Sequence, residues 1–90
     1  MMQVSTVMLA IDDEDEWSGV NAMLTDDLGY RVIVAPTVKK SLSFIEDANI
    51  DLVISESQLQ GEDARNILRE CRVSCPNAMR LLVKGENDDV

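Results

Sequence analysis

The sequence predicts a single α/β layer, a doubly wound parallel sheet with helices on both faces. Short runs rich in Val, Ile and Leu alternate with longer stretches whose apolar residues recur at helical spacing. The short runs are nearly continuous in apolar character, as in strands covered on both faces. The connections are a few residues long, which suits right-handed crossovers. The order is strand, helix, strand, helix, strand, helix, strand.

Thr6 to Ile11 reads as the first strand, bounded by charge. Asp15 to Leu28 follows as a helix with Trp17, Val20, Leu24 and Leu28 on one face and acids in its first turn, where the macrodipole favours them. Gly29 is suited to the position after the C-cap. Arg31 to Ala35 is the second strand, stopped by Pro36. Thr37 offers an N-cap to a second helix carrying Val38, Leu42 and Ile45 on one face, with Lys39 and Lys40 solvated and Asn49-Ile50 closing it. Leu52 to Ser55 is the third strand. After a loop broken by Gly61, Asp63 caps a third helix with Ile67, Leu68 and Cys71 inward. Ser74 to Asn77 is the turn out of it, Arg80 to Val83 the fourth strand, and the chain is polar from Gly85 onward.

Ninety residues make one domain, 1–90, near the lower size that a single core supports. With one each of Trp17, Tyr30 and Phe44, that core must be aliphatic. Seventeen acidic against eight basic side chains leave a net charge of −9, which disfavours nucleic acid and anionic membranes and favours cations or basic partners. The chain contains no histidine, which removes most zinc patterns and every histidine-based triad, so no catalytic residue is assigned and no enzyme is expected. Cys71 and Cys75 read as reduced structural thiols at a helix end. The first apolar run has no basic residue ahead of it and ends in five consecutive acids, unlike a signal peptide or anchor. A cytoplasmic location is the expectation.

The candidate site lies at one end of the sheet. Ligands of open α/β sheets bind beyond the carboxyl ends of the strands. Glu56 follows the third strand there, and Asp12-Asp13-Glu14 follows the first. If these strands are parallel neighbours, Asp12, Asp13 and Glu56 converge and repel one another unless a cation or a proton joins them. Ser55 and Ser57 flank Glu56 without a base and read as structural. Trp17 reads as a core or rim anchor.

Leu9-Ala-Ile-Asp-Asp-Glu14, Leu28-Gly-Tyr30, Asp51-Leu-Val-Ile-Ser55, Gly61-Glu-Asp63 and Arg80-Leu-Leu-Val83 together resemble the receiver domain of bacterial response regulators. The resemblance runs through the whole chain in order. It implies a flavodoxin-like sheet of strand order 2-1-3-4 lacking the last βα unit. It also implies an acidic pair that holds Mg²⁺, an acceptor aspartate phosphorylated from a kinase histidine, a hydroxyl after the fourth strand and a lysine after the fifth. Asp12 and Asp13 match the acidic pair. Glu56 stands at the phosphoacceptor position, Lys84 at the hydroxyl position, and Gln60 where proline is usual. The fifth strand and its lysine are absent.

These departures bear on the chemistry. Glutamate carries its oxygens about an ångström or more beyond an aspartate's, enough to cost orders of magnitude in an in-line transfer. Losing the hydroxyl and the lysine removes two stabilisers of the phosphoryl oxygens. Two readings of the acidic pocket stand level: a weak Mg²⁺ or Ca²⁺ site of Asp12, Asp13 and Glu56, or a vestigial pocket closed by a Lys84–Glu56 ion pair. Omitting the last unit leaves Arg80, Leu81, Leu82 and Val83 as a bare apolar edge, the expected interface with a second copy of the chain, a histidine kinase or an effector domain. The functional expectation is a degenerate receiver-like signalling module that acts by protein contact without phosphorylation. Its rivals are a Mg²⁺-dependent phosphoacceptor receiver and the N-terminal part of a longer response regulator.

Overall fold

Apolar runs and helical stretches fold into the expected alternation. The structure is a computed structural model that describes residues 5–47 and 49–84. Strand β1 (Thr6–Ala10) leads to helix α1 (Ser18–Ala22), continued by a π-helical segment over Met23–Asp27. Then come β2 (Arg31–Ala35), α2 (Val38–Asp47), β3 (Leu52–Glu56), two short strands β4 (Gln58–Leu59) and β5 (Glu62–Asp63), α3 (Arg65–Ser74) and β6 (Met79–Val83). The main sheet runs β2-β1-β3-β6 and is parallel throughout. With β6 as its fourth strand, this is the order 2-1-3-4. The N-terminal residues 1–4 and the polar stretch from Gly85 lie outside the described residues. Among the described residues, no helix is long and apolar enough to cross a membrane.

Each face of the sheet has its own core. On one, α2 and α3 pack Ile45, Ile67 and Cys71 against Met8, Ala10, Ala35 and Val53. Ser41 is fully buried there because its hydroxyl donates back to the Thr37 carbonyl at 2.9 Å, so it brings no unpaired polar group inside. Burial raises the Cys71 thiol above its ordinary value and keeps it protonated, in keeping with a structural role. Both cysteines are free thiols. The opposite face packs Leu24 with Val7, Leu9, Ile11 and Ile54, and Trp17 and Tyr30 lie against them.

The first helix departs from expectation. Residues 14–17 form turns, α1 is five residues long, and the chain then widens into a π turn in which Leu28 N–H donates to the Met23 carbonyl at 3.1 Å. The sequence supplies two local causes. Asp13 Oδ1 accepts the Asp15 N–H at 3.0 Å, a turn that delays the helix. Thr25 Oγ1 donates to the Asn21 carbonyl at 2.9 Å, which crowds the ladder where it widens. Of the expected apolar face, Leu24 is buried and Trp17 half-buried, whereas Val20 and Leu28 are exposed.

The other local signals hold. Gly29 adopts φ 69°, the left-handed conformation expected after a helix. Thr37 Oγ1 accepts the Lys40 N–H at 3.1 Å and caps α2. The expected Asp63 cap is the exception: the N-cap of α3 is Ala64, and Asp63, in β5, accepts the Arg65 N–H on Oδ1 at 2.9 Å just ahead of it.

Candidate functional site

Register decides which acidic residues meet. Ala10 pairs with Ser55 across β1 and β3, so the residues after each strand emerge side by side at the carboxyl end of the sheet. Glu56 is half-buried and paired in register with Val83 of β6; Asp12 and Asp13 are exposed. The extra methylene of glutamate carries its carboxylate across the end of β1, where Oε1 accepts the Asp12 backbone N–H at 2.6 Å. Asp12 Oδ1 accepts from the Gln60 carboxamide at 2.5 Å, and Asp13 Oδ1 accepts the Asp15 N–H. Each of the three carboxylates is therefore answered by an N–H donor of the chain itself.

Gln60 arrives through a feature the sequence reading did not contain. After β3 the chain forms a small antiparallel hairpin, β4 paired with β5, with Gln60 (φ 52°) and Gly61 (φ 80°) at its tip. Two successive left-handed residues are what a tight two-residue hairpin turn requires. Leu59 is fully buried in the core beneath α3. The Ser57 N–H donates to the Val83 carbonyl at 2.8 Å, and the Ala64 N–H donates to the Ser57 carbonyl at 2.9 Å. These anchors hold the tip over the acidic end. Gly61, which breaks the loop in the sequence, is the signal that pointed to a turn here.

Two expectations fare differently. The Lys84–Glu56 pair is absent: Lys84 is exposed, and among the described residues the ion pair is Arg65 with Asp63, at 3.1 Å. Lys84 follows the last residue of β6, and Glu56 has already turned toward β1. Asp12, Asp13 and Glu56 do share one end of the sheet, yet among the described residues no three Asp, Glu, Cys or His side chains are grouped so as to hold a metal ion. One oxygen of each carboxylate accepts an N–H of the chain, and the second oxygen of each is left for any cation.

Ser55 is fully buried, and its hydroxyl donates to the Glu56 carbonyl at 2.9 Å, a structural role. Along β6, Arg80, Leu81 and Val83 are exposed and Leu82 is half-buried. Paired residues of parallel strands share a face. Met79, Leu81 and Val83 therefore lie on the α1 side with Leu52 and Ile54, and Arg80 and Leu82 on the other. Met79, outside the expected set, is 68% exposed and extends the patch.

No protein-family model and no curated protein matches the sequence. Solved structures do match its fold. A signal receiver domain of an HD domain-containing protein from Pseudomonas fluorescens superposes with a TM-score of 0.79 at 23% identity, covering 96% of this chain and 68% of that one. A CheY-like response regulator receiver domain from Methanospirillum hungatei gives 0.80 at 19% identity, with 96% and 68% covered. The receiver domain of a sensor histidine kinase from Pseudomonas aeruginosa, which has a magnesium ion coordinated in its active site cleft, gives 0.68 at 24% identity, with 79% and 57% covered. The architecture of this chain, four parallel strands in the order β2-β1-β3-β6 with the acidic residues at their carboxyl end, is the fold of response regulator receiver domains.

Proposed function

We propose that the chain is a receiver-like module of two-component signalling that acts by protein contact without accepting a phosphoryl group. The observation that carries this reading is the hydrogen bond from the Asp12 N–H to Glu56 Oε1. It turns the carboxylate at the acceptor position toward the end of β1 and engages one of its oxygens with the backbone. The hydroxyl position holds Lys84, and no ion pair brings that lysine to the site. Any Mg²⁺ held by Asp12 and Asp13 binds weakly, since among the described residues no third Asp, Glu, Cys or His is grouped with them to hold a metal ion.

The contact surface is the edge of β6, which pairs with no further strand among the described residues, with Met79, Leu81 and Val83, and the occupant is a second copy of this chain. An open strand edge supplies unpaired backbone donors and acceptors, and the apolar row beside it supplies area to bury. Arg80 and Lys84 place two of the eight cationic side chains at this edge, easing the repulsion between two copies that each carry −9. A histidine kinase or effector domain on the same edge is the rival occupant.

Incubation with a small acyl phosphate and Mg²⁺, followed by intact mass, tests the chemistry: the expected result is an unchanged mass. Gain of a phosphoryl group that disappears in Glu56→Gln would instead establish a phosphoacceptor. Light scattering at tens of micromolar tests the contact, with a dimer expected and a stable monomer counting against it.

A further inference from the structure

The backbone of β6 alternates in the direction of its polar groups. The Met79 N–H donates to the Asp51 carbonyl at 2.9 Å, and the Val83 carbonyl accepts the Ser57 N–H at 2.8 Å, so Met79, Leu81 and Val83 turn their backbone groups toward β3. The residues between them turn theirs the other way. The N–H and C=O groups of Arg80 and Leu82 therefore lie on the edge that pairs with no further strand among the described residues. The side chains of Met79, Leu81 and Val83 form the exposed apolar row on the α1 side, and those of Arg80 and Leu82 belong to the opposite face.

Two copies of one edge meet side by side about a two-fold axis in one of two ways. An axis along the strands pairs them in parallel and turns the two apolar rows to opposite faces. An axis perpendicular to the sheet pairs them antiparallel and keeps both rows on one face. Charge and prior backbone bonds then select the register. An axis at Met79 or Val83, the ends of the five-residue strand, pairs the two strands at a single position. An axis at Arg80 sets that guanidinium against its own copy and sets Leu82 against Ala78, whose N–H is already donated to the Cys75 carbonyl at 3.0 Å. An axis at Leu82 sets Arg80 against Lys84, again like charges. An axis at Leu81 opposes Arg80 to Leu82, Met79 to Val83 and Lys84 to Ala78, with no cation facing a cation.

We propose that the two-fold axis of the dimer passes between Leu81 and the partner's Leu81, so that the four strands of each copy join in one continuous sheet. Arg80 then exchanges both backbone hydrogen bonds with the partner's Leu82, and Leu82 with the partner's Arg80. Met79 packs against the partner's Val83, and the two apolar rows make one strip on the α1 side. This pairing rests on the occupant of the edge being a second copy of the chain.

Disulfide trapping tests the register. Met79, Leu81 and Val83 are exposed, so Met79→Cys, Leu81→Cys and Val83→Cys leave the core intact. Each chain is oxidised with copper phenanthroline in air and its intact mass read without reductant, with the wild-type chain, whose Cys71 is buried and Cys75 half-buried, as background. Leu81→Cys should link to itself, because opposed residues that share no backbone hydrogen bond have Cα atoms about 4.5 Å apart, within disulfide reach. Met79→Cys and Val83→Cys each lie about 14 Å from their own copy, four residues along the strand, and should not self-link. An equimolar mixture of those two should link one to the other. In the unaltered protein, the Arg80 and Leu82 amides should exchange with solvent more slowly as concentration rises, and those of Leu81 and Val83, which face β3, should change less. Self-linking of Met79→Cys or Val83→Cys, or a dimer by light scattering in which Leu81→Cys does not link, overturns the register and leaves the contact reading standing. A monomer by light scattering overturns both.

Discussion

The two faces of the sheet are built from the same four strands and are finished differently. One is covered by α2 and α3, ten residues each, whose Ile45, Ile67 and Cys71 are essentially inaccessible. The other is covered by the five-residue α1 and its π-helical continuation, which bury Leu24 over β1 and leave the row on β6 open. Met79, Leu81 and Val83 are 68%, 49% and 37% exposed in consequence. A parallel sheet needs cover on both faces, and among the described residues the second face is covered only in part. The difference lies in burial: the first face is packed under two helices, and the second keeps an exposed apolar row on β6.

Substitutions can break or sharpen that contrast. Ile67→Ala, on the closed face, should cost about 2–5 kcal/mol in urea unfolding, because the core beneath α3 cannot close around the lost volume. Leu81→Ala, on the open face, should cost about 1 kcal/mol or less in the monomer, since half of that side chain already meets water. Its larger effect should be on association, read as a shift toward monomer in light scattering. If the two substitutions cost the same and neither changes the mass in solution, the faces are not divided as described.

The smallest effect concerns the start of α3 on the closed face. The Arg65 backbone N–H and then its guanidinium hold the Asp63 carboxyl below its ordinary value of 3.8. A group whose folded value is depressed contributes stability in full above its unfolded value and loses it as pH falls through the folded one. The contribution of Asp63 is therefore complete at neutral pH and fades below about pH 4. Asp63 is exposed and its pairing is screened by water, so Asp63→Asn should lower the melting temperature slightly at pH 7. At pH 3 the difference from the wild-type protein should narrow; a difference that widens in acid contradicts this assignment.

Much of the closed face was legible from residue spacing. Val38, Leu42 and Ile45 recur at helical steps, Ile67 and Cys71 likewise, and Thr37 and Gly29 are local signals whose effect depends on a few adjacent bonds. The open face was less legible. The face Trp17, Val20, Leu24, Leu28 has good periodicity, yet the Thr25 hydroxyl and the Asp13 turn spoil the ladder, and periodicity carries no information about side chains that compete for backbone groups. At the site, Asp12, Asp13 and Glu56 were found because strand ends mark ligand crevices. Gln60 was noticed only as a departure from proline. Its partner is 48 positions away, beyond anything local pattern can reach.

The sequence by itself determined the alternation of strands and helices, the parallel order, and the acidic character of one end of the sheet. These follow from hydrophobic period, turn residues and charge, which act over short stretches of chain. Only the tertiary structure decided that Glu56 bonds the β1 backbone, that Gln60 closes on Asp12, that Lys84 stands apart, and that Met79 joins the open row. Each of those outcomes depends on register and on the direction of a side chain across a gap between strands. Such directions are fixed when the layer packs, by contacts among residues far apart in the chain.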